Sequence, residues 1–220
     1  MATYKTYESV GNREDLTDVI YNISPTDTPF MSSVGKTKAT AVYHEWQTDS
    51  LADASTANAV VEGADASSAT LAPTTRVGNR TQISQKTIQI AGTLESVDKA
   101  GRKSEKAYQL SKASSELKRD MEKILLSNQA AVTGDAVTAR KLGSLQAWLN
   151  TNAVLGATGV AGSGGTTART SGTDAAFTEA MLKSAVKSAY EQGGNPSVLM
   201  VTPTQKQVVS GFAGIAEQRY

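Results

Sequence analysis

One uninterrupted helical pattern dominates this chain. From Ser104 to Ala131, the residues Ala107, Leu110, Leu117, Met121, Ile124 and Leu125 recur at three- and four-residue spacing. Lys112, Glu116, Lys118, Arg119, Glu122 and Lys123 fill the positions between them. No Pro or Gly interrupts the stretch, so the spacing predicts one continuous helix, a rod of roughly 40 Å at 1.5 Å rise per residue. Leu110, Leu117, Met121 and Ile124 are its expected core side, and Gly134 its expected stop. An amphipathic rod must lay its apolar stripe on something, and the rest of the chain offers little to lay it on. Leu, Ile, Val and Phe together make up about 19% of the 220 residues, whereas Ala, Ser and Thr make up about 36%.

Such a composition describes a thin core. Disordered chains share it, but they usually add a high net charge; here 22 Lys and Arg face 21 Asp and Glu, a net charge of +1. The better reading is a folded chain with extended arms or loops that completes its burial against neighbouring subunits. The charge balance supplies no long-range field to recruit nucleic acid or an acidic membrane. No run of 18 apolar residues is present, and residues 1–8 lack the basic and apolar regions of a signal peptide.

The rest of the chain reads in shorter pieces. Leu16, Val19, Ile20 and Ile23 keep helical spacing, with Asn12 able to cap them, and Ser24-Pro25 ends the pattern. Thr28-Pro29 repeats that punctuation. Residues 38–49 alternate, Val42, His44 and Trp46 on one side and Tyr43, Glu45 and Gln47 on the other. Residues 76–91 alternate with a slip of phase between Ile83 and Ile88, which a bulge or a strand end would repair. The two strands predict an antiparallel hairpin with a long polar connection, residues 51–75, that needs a partner to lie on. Leu142, Leu145, Trp148 and Leu149 form a small apolar cluster. The glycine-rich stretch 156–172 reads as a flexible loop or linker. A helix is predicted from Phe177 to Tyr190, ended by Gly193-Gly194-Asn195-Pro196. Ser197 to Val201 reads as a buried strand, and Thr202-Pro203-Thr204-Gln205 as a capping box opening a helix with Val208, Val209 and Phe212 inward. That strand has no evident partner here; its sheet neighbours are expected from sequence after Tyr220.

Catalytic chemistry has few residues to use. With no Cys and one His, disulfides, thiolate zinc sites and cysteine nucleophiles are excluded. His44 has no sequence-near acid or nucleophile and reads as a packed histidine. Gly35-Lys36-Thr37 ends like a phosphate-binding loop, but the position of the required upstream glycine holds Phe30. Asp49, Asp53, Glu62 and Asp65 do not fit calcium-loop spacing and read as the solvated acids of a polar tip. Trp46 and Trp148 with scattered Arg are too sparse for a base-stacking platform. We expect no enzyme, no cofactor and no metal.

The order of arm, long two-stranded loop, long helix and α/β region resembles the major capsid proteins of tailed phages with the HK97-type fold. The segments ISPTDTPFMSSVGK at 23–36, EWQTDSL at 45–51, GTLESVDKAGRKSEKAYQLSKASSELKRDMEKILL at 92–126 and SVLMVTPTQKQVVSGF at 197–212 are similar to the SU10-type major head protein family. The resemblance implies an α+β chain with an N-terminal arm (1–35), an extended β-hairpin loop (36–91), a peripheral domain with the spine helix (92–132) and the start of an axial domain (133–220). It implies a head protein that assembles with itself into hexamers and pentamers of an icosahedral or prolate shell around double-stranded DNA. The shell would belong to a virion made in a bacterial cytoplasm, with portal, scaffold or decoration proteins as further partners, DNA touched non-specifically at most, and no membrane. An encapsulin-like cargo shell is the alternative with the same fold. Leu16, Ile20, Phe30, Tyr43, Trp46, Arg76, Arg80 and Ile83 are the candidate subunit-interface residues.

Overall fold

A computed structural model describes residues 20–22, 24–66, 68 and 71–212. It is mixed helix and sheet: α1 (Pro29–Ser33), β1 (Tyr43–Thr48), β2 (Thr75–Arg80), α2 (Gly92–Ser96), α3 (Glu105–Leu126), α4 (Leu145–Trp148), α5 (Glu179–Glu191) and α6 (Pro203–Ser210). The chain divides into two compact units, Met1–Gly35 with Ser84–Lys123, and Lys36–Ile83 with Ile124–Tyr220. The helix expected around Leu16 lies outside the described residues; Ile20, at its end, is exposed and in no regular element.

The first unit is organised by carboxylates on helix ends. The first backbone N–H groups of a helix have no partner within it, and in α3 the Glu95 carboxylate accepts from Glu105 N (3.0 Å) and Lys106 N (3.1 Å). Ser104 Oγ adds a cap by accepting from Ala107 N at 3.1 Å. Arg102 pairs with Glu105, which also accepts from Gln109 Nε2 at 2.7 Å. At α1, Pro29 has no N–H, and the Thr28 side chain makes no cap bond. Glu122 of α3 supplies it instead, accepting from Phe30 N and Met31 N at 2.8 Å each. Thr28-Pro29 is therefore a start signal as well as punctuation: the fixed φ of Pro suits the first helical position.

Leu110 and Met121, expected on the core side of the spine, are exposed at 57% and 37%. Leu117 and Ile124 are half-buried, and the buried residues of α3 are Glu105, Ala113 and Glu122. The buried positions of α3 are thus one small residue and two carboxylates, Glu122 taking N–H groups of α1 and Glu105 the side chains of Arg102 and Gln109. The helix ends at Leu126, where Gln146 Nε2 donates to Leu126 O at 2.7 Å. Gly134 is not its stop; with φ of +74° it turns the chain between Val132 and Lys141, which bridge antiparallel.

In the second unit, β1 and β2 pair antiparallel from Tyr43 opposite Arg80 to Thr48 opposite Thr75. The strand expected over residues 76–91 is shorter: β2 stops at Arg80, and neither Ile83 nor Ile88 lies in a strand. The glycine-rich stretch is no linker. Val160 bridges Thr170 and Ser163 bridges Thr167, and a Cβ on Gly162 would come 2.6 Å from Ala147 O and 2.7 Å from its Cα. These glycines are there so that backbone can lie on backbone. The helix α5 starts with Thr178 accepting from Met181 N, and α6 with Thr202 accepting from Gln205 N. Ser197–Val201 forms no strand: Val198, Leu199 and Met200 are 68%, 47% and 44% exposed. An apolar run becomes a strand only when another strand takes its backbone groups, and none does among the described residues.

Hydrogen bonds from Ser104 and Lys106 hold the Glu95 carboxyl below its ordinary value of 4.5, and bonds from Gln109 and Arg102 do the same for Glu105. A lowered carboxyl contributes stability above the ordinary carboxylate range, and that contribution is lost as pH falls through the depressed value. We expect the amides of Glu105 and Lys106 to lose protection from hydrogen exchange as pH falls below the ordinary carboxylate range, before those of the middle of α3. Simultaneous loss along the whole helix would show that the carboxylates do not hold its start.

Glu122→Ala removes the only acceptor these contacts give Phe30 N and Met31 N. Their exchange should accelerate by at least about tenfold, a change of ~1.4 kcal/mol, with α3 intact by circular dichroism.

Candidate assembly surfaces

The hairpin has two chemically different faces, fixed by the two-residue period of a strand. Tyr43, Glu45, Gln47, Arg76, Gly78 and Arg80 share one face. There the Arg80 guanidinium lies 5.2 Å from the Tyr43 ring centroid, and Arg76 Nε pairs with Glu45 at 2.8 Å. Gly78 makes this possible, for a Cβ there would sit 2.8 Å from both the Glu45 Cγ and the Tyr43 ring. The face is a lattice of aromatic and charged groups held in place by cross-strand pairing, with Tyr43 40% exposed.

The other face carries His44, Trp46, Val77 and Asn79, and it anchors the hairpin. Asn79 forms a two-way clamp, Nδ2 donating to Gly143 O and Oδ1 accepting from Gly143 N, both at 2.8 Å. Trp46 packs on Trp148 with ring centroids 5.4 Å apart, and His44 stands 6.2 Å from Trp46. Beyond the strand, Gln82 Oε1 accepts from Gln129 Nε2 (2.9 Å) and Leu142 N (3.2 Å), and Arg140 Nε donates to Thr81 O at 2.6 Å.

The anchor itself is polar. Ser144, 1% exposed, accepts from Gln129 N at 2.7 Å and donates to Ser127 O at 2.5 Å. Asn128 clamps Arg169, Nδ2 donating to Arg169 O (2.6 Å) and Oδ1 accepting from Arg169 N (2.7 Å). Ala147 is fully buried beneath Gly162 and Gly165.

The candidate interface residues therefore separate. Tyr43, Arg76 and Arg80 come together on the outer hairpin face. Trp46 does not join them: its ring is engaged by Trp148 of its own chain, although 40% of it stays exposed. Ile83 is isolated past the strand end and 81% exposed. In the first unit, Phe30 is half-buried under the Glu122 contact and Ile20 is 43% exposed; Leu16 is outside the described residues. What the sequence reading missed are the amide clamps Asn79, Gln82, Asn128 and Gln129. Single polar residues in irregular segments leave no periodic trace.

The hairpin connection is the other outstanding surface. Leu51, Val60, Val61 and Leu71 are 98%, 85%, 79% and 88% exposed. Among the described residues, no group of three or more His, Cys, Asp or Glu is placed to hold a metal ion, and no helix is long and apolar enough to cross a membrane.

Gly162→Ala should destabilise the chain by about 1–3 kcal/mol, since the new methyl meets backbone that cannot rotate away. Gly211→Ala, whose nearest neighbour would be 3.4 Å away, should be close to neutral. Equal melting temperatures for the two variants would contradict the packing of the glycine-rich loop.

The chain is 40% identical over 127 residues to the major capsid protein of Escherichia phage Phieco32, a match that covers 58% of this chain and 36% of that protein. The chain thus spans little more than a third of the length of that curated relative. A family model described as SU10 major capsid protein matches residues 3–220, and the chain belongs to the SU10 major capsid protein family.

Proposed function

We propose that the chain is a shell-forming subunit of a phage head that assembles with copies of itself, as hexamers and pentamers, around double-stranded DNA. In this reading the fold is of the HK97 type. Residues 1–35 are the arm, 36–91 the extended loop, 92–132 the peripheral domain with α3 as spine, and 133–220 the beginning of the axial domain. Portal, scaffold and decoration proteins are the further partners, and the virion is where the protein resides after synthesis in the host cytoplasm.

The observation that carries the reading is the distribution of apolar surface. Among the described residues, the only buried hydrophobic side chains are Ala113 and Ala147, while Leu51, Val60 and Leu71 are each at least 85% exposed on one connection. At about 25 cal/mol per Å² of apolar surface withdrawn from water, large side chains left exposed in this way favour association. Oligomers with many shared surfaces are the economical way to cover them. Membership of a capsid protein family supplies the kind of oligomer.

The test is negative-stain electron microscopy and sedimentation of the expressed gene product. Closed polyhedral or prolate shells are expected, and shells from infected cells should protect DNA from nuclease. Shells that enclose protein cargo without DNA would favour a cargo compartment, and a monomer at all concentrations would refute the assembly reading.

A further inference from the structure

The stripe that α3 leaves uncovered has a definite chemistry. Ala107, Leu110, Ser114 and Met121 share one side of the helix through their three- and four-residue spacing, and all four are exposed. Lys106 and Lys118 edge the stripe, also exposed, and form no ion pair among the described residues. The acids of α3 are engaged elsewhere. Glu105 and Glu122 are buried, while Glu116 and Asp120 pair with Lys112 and Lys86. From Ala107 to Met121 the stripe is roughly 21 Å long, apolar along its middle and cationic at its edges. What covers it must bring apolar side chains with acids beside them. A second copy of α3 does not meet that requirement, because lysines would face lysines.

The chain carries a segment of that description beside the stripe. Residues 14–20 read Glu-Asp-Leu-Thr-Asp-Val-Ile, three acids among three apolar residues, with no Lys or Arg. Ile20, its last residue, lines a cavity of about 360 Å³ together with Tyr108, Ser111 and Ser115 of α3. Ser111 adjoins both Ala107 and Ser114 on the helix surface, four residues after one and three before the other. The chain therefore enters the described structure one helix row away from the stripe. Residues 1–19 lie outside the described residues. Even at helical rise they reach roughly 28 Å, more than the length of the stripe. A tether this short keeps the segment at high effective concentration where it is needed.

We propose that residues 14–19 fold back over α3 of their own chain as a strap, with Leu16 and Val19 on the Leu110–Met121 stripe and the three acids beside Lys106 and Lys118. The strap withdraws from water the apolar side chains that α3 otherwise exposes. It is a property of the single subunit and holds whether or not shells form.

The chain has no Cys, so Ser114→Cys places one thiol in the middle of the stripe. Its rate of reaction with a maleimide measures the cover. We expect deletion of residues 2–19 to speed that reaction at least about tenfold. Leu16→Asp in the full chain should speed it comparably, and so should high salt, which screens the pairing of acids with lysines. Lys123→Cys, on another side of α3, should react at the same rate with and without the segment. In the full chain, the rate at Ser114→Cys should not depend on protein concentration. Equal rates at Ser114→Cys in the full and shortened chains overturn the proposal. An equal acceleration at Lys123→Cys also overturns it, since the deletion would then loosen the whole helix. Protection that appears only as concentration rises assigns the cover to a second copy and rejects the strap.

Discussion

Side chains bonded to backbone carry the second unit. Asn79 holds Gly143, Gln82 holds Leu142, Gln129 reaches Leu142 O, and Ser144 ties its segment to the backbone of Ser127 and Gln129. Where a larger apolar core exists, regular ladders satisfy the backbone and hydrophobic burial supplies the cohesion. Here the ladder is one pair of six-residue strands, and much of the chain between α3 and α5 is irregular. Irregular backbone can be buried only if other groups take its donors and acceptors, so amides and hydroxyls are placed one by one to do it. Each such bond contributes on the order of 1 kcal/mol, and losing one partner of a buried pair costs more than the bond contributes. The arrangement is consequently specific in geometry but modest in energy.

That balance explains how a chain with so little bulky apolar content presents so much of it to solvent. The polar clamps free the large side chains from core duty. They also orient the hairpin: with its inner face gripped by Gly143 and Trp148, the outer face of Tyr43, Arg76 and Arg80 points away with a set geometry. In the first unit, Glu95 and Glu122 do for helix ends what the amides do for loops. The same solution, a polar side chain crossing to a backbone group, recurs from Asn79 and Gln82 to Glu95 and Glu122.

Periodic features were legible in the sequence and isolated ones were not. The α3 rhythm, the alternation on the two sides of Trp46 and the Thr202-Pro203 cap all appear where the pattern puts them, because each is a local rule. The family resemblance was likewise legible, and the family match supports it. Leu110 and Met121 mislead because helical spacing says which residues share a stripe and not whether the chain itself covers it. Ser197–Val201 misleads for a related reason: a strand is a property of a pair. The glycine-rich stretch was misjudged most fully. Composition reads glycine as freedom, whereas Gly162, Gly165 and Gly172 each sit where any side chain would strike a neighbouring segment. The alternation of Tyr43, Glu45 and Gln47 against His44 and Trp46 was readable along the strand; the pairing that brings Arg76 and Arg80 to the side of Tyr43 depends on a segment distant in sequence.

The contact between Trp46 and Trp148 has a practical corollary. The chain has two tryptophans, and they are each other's neighbours, one on the hairpin and one on the helical turn that carries it. The intrinsic emission of the whole protein is therefore a gauge of a single joint. Any event that tilts the hairpin on its base alters the coupling of the two indoles, without a dye, a tag or a substitution. That makes the colour and intensity of the protein's own fluorescence a running record of the hairpin's posture.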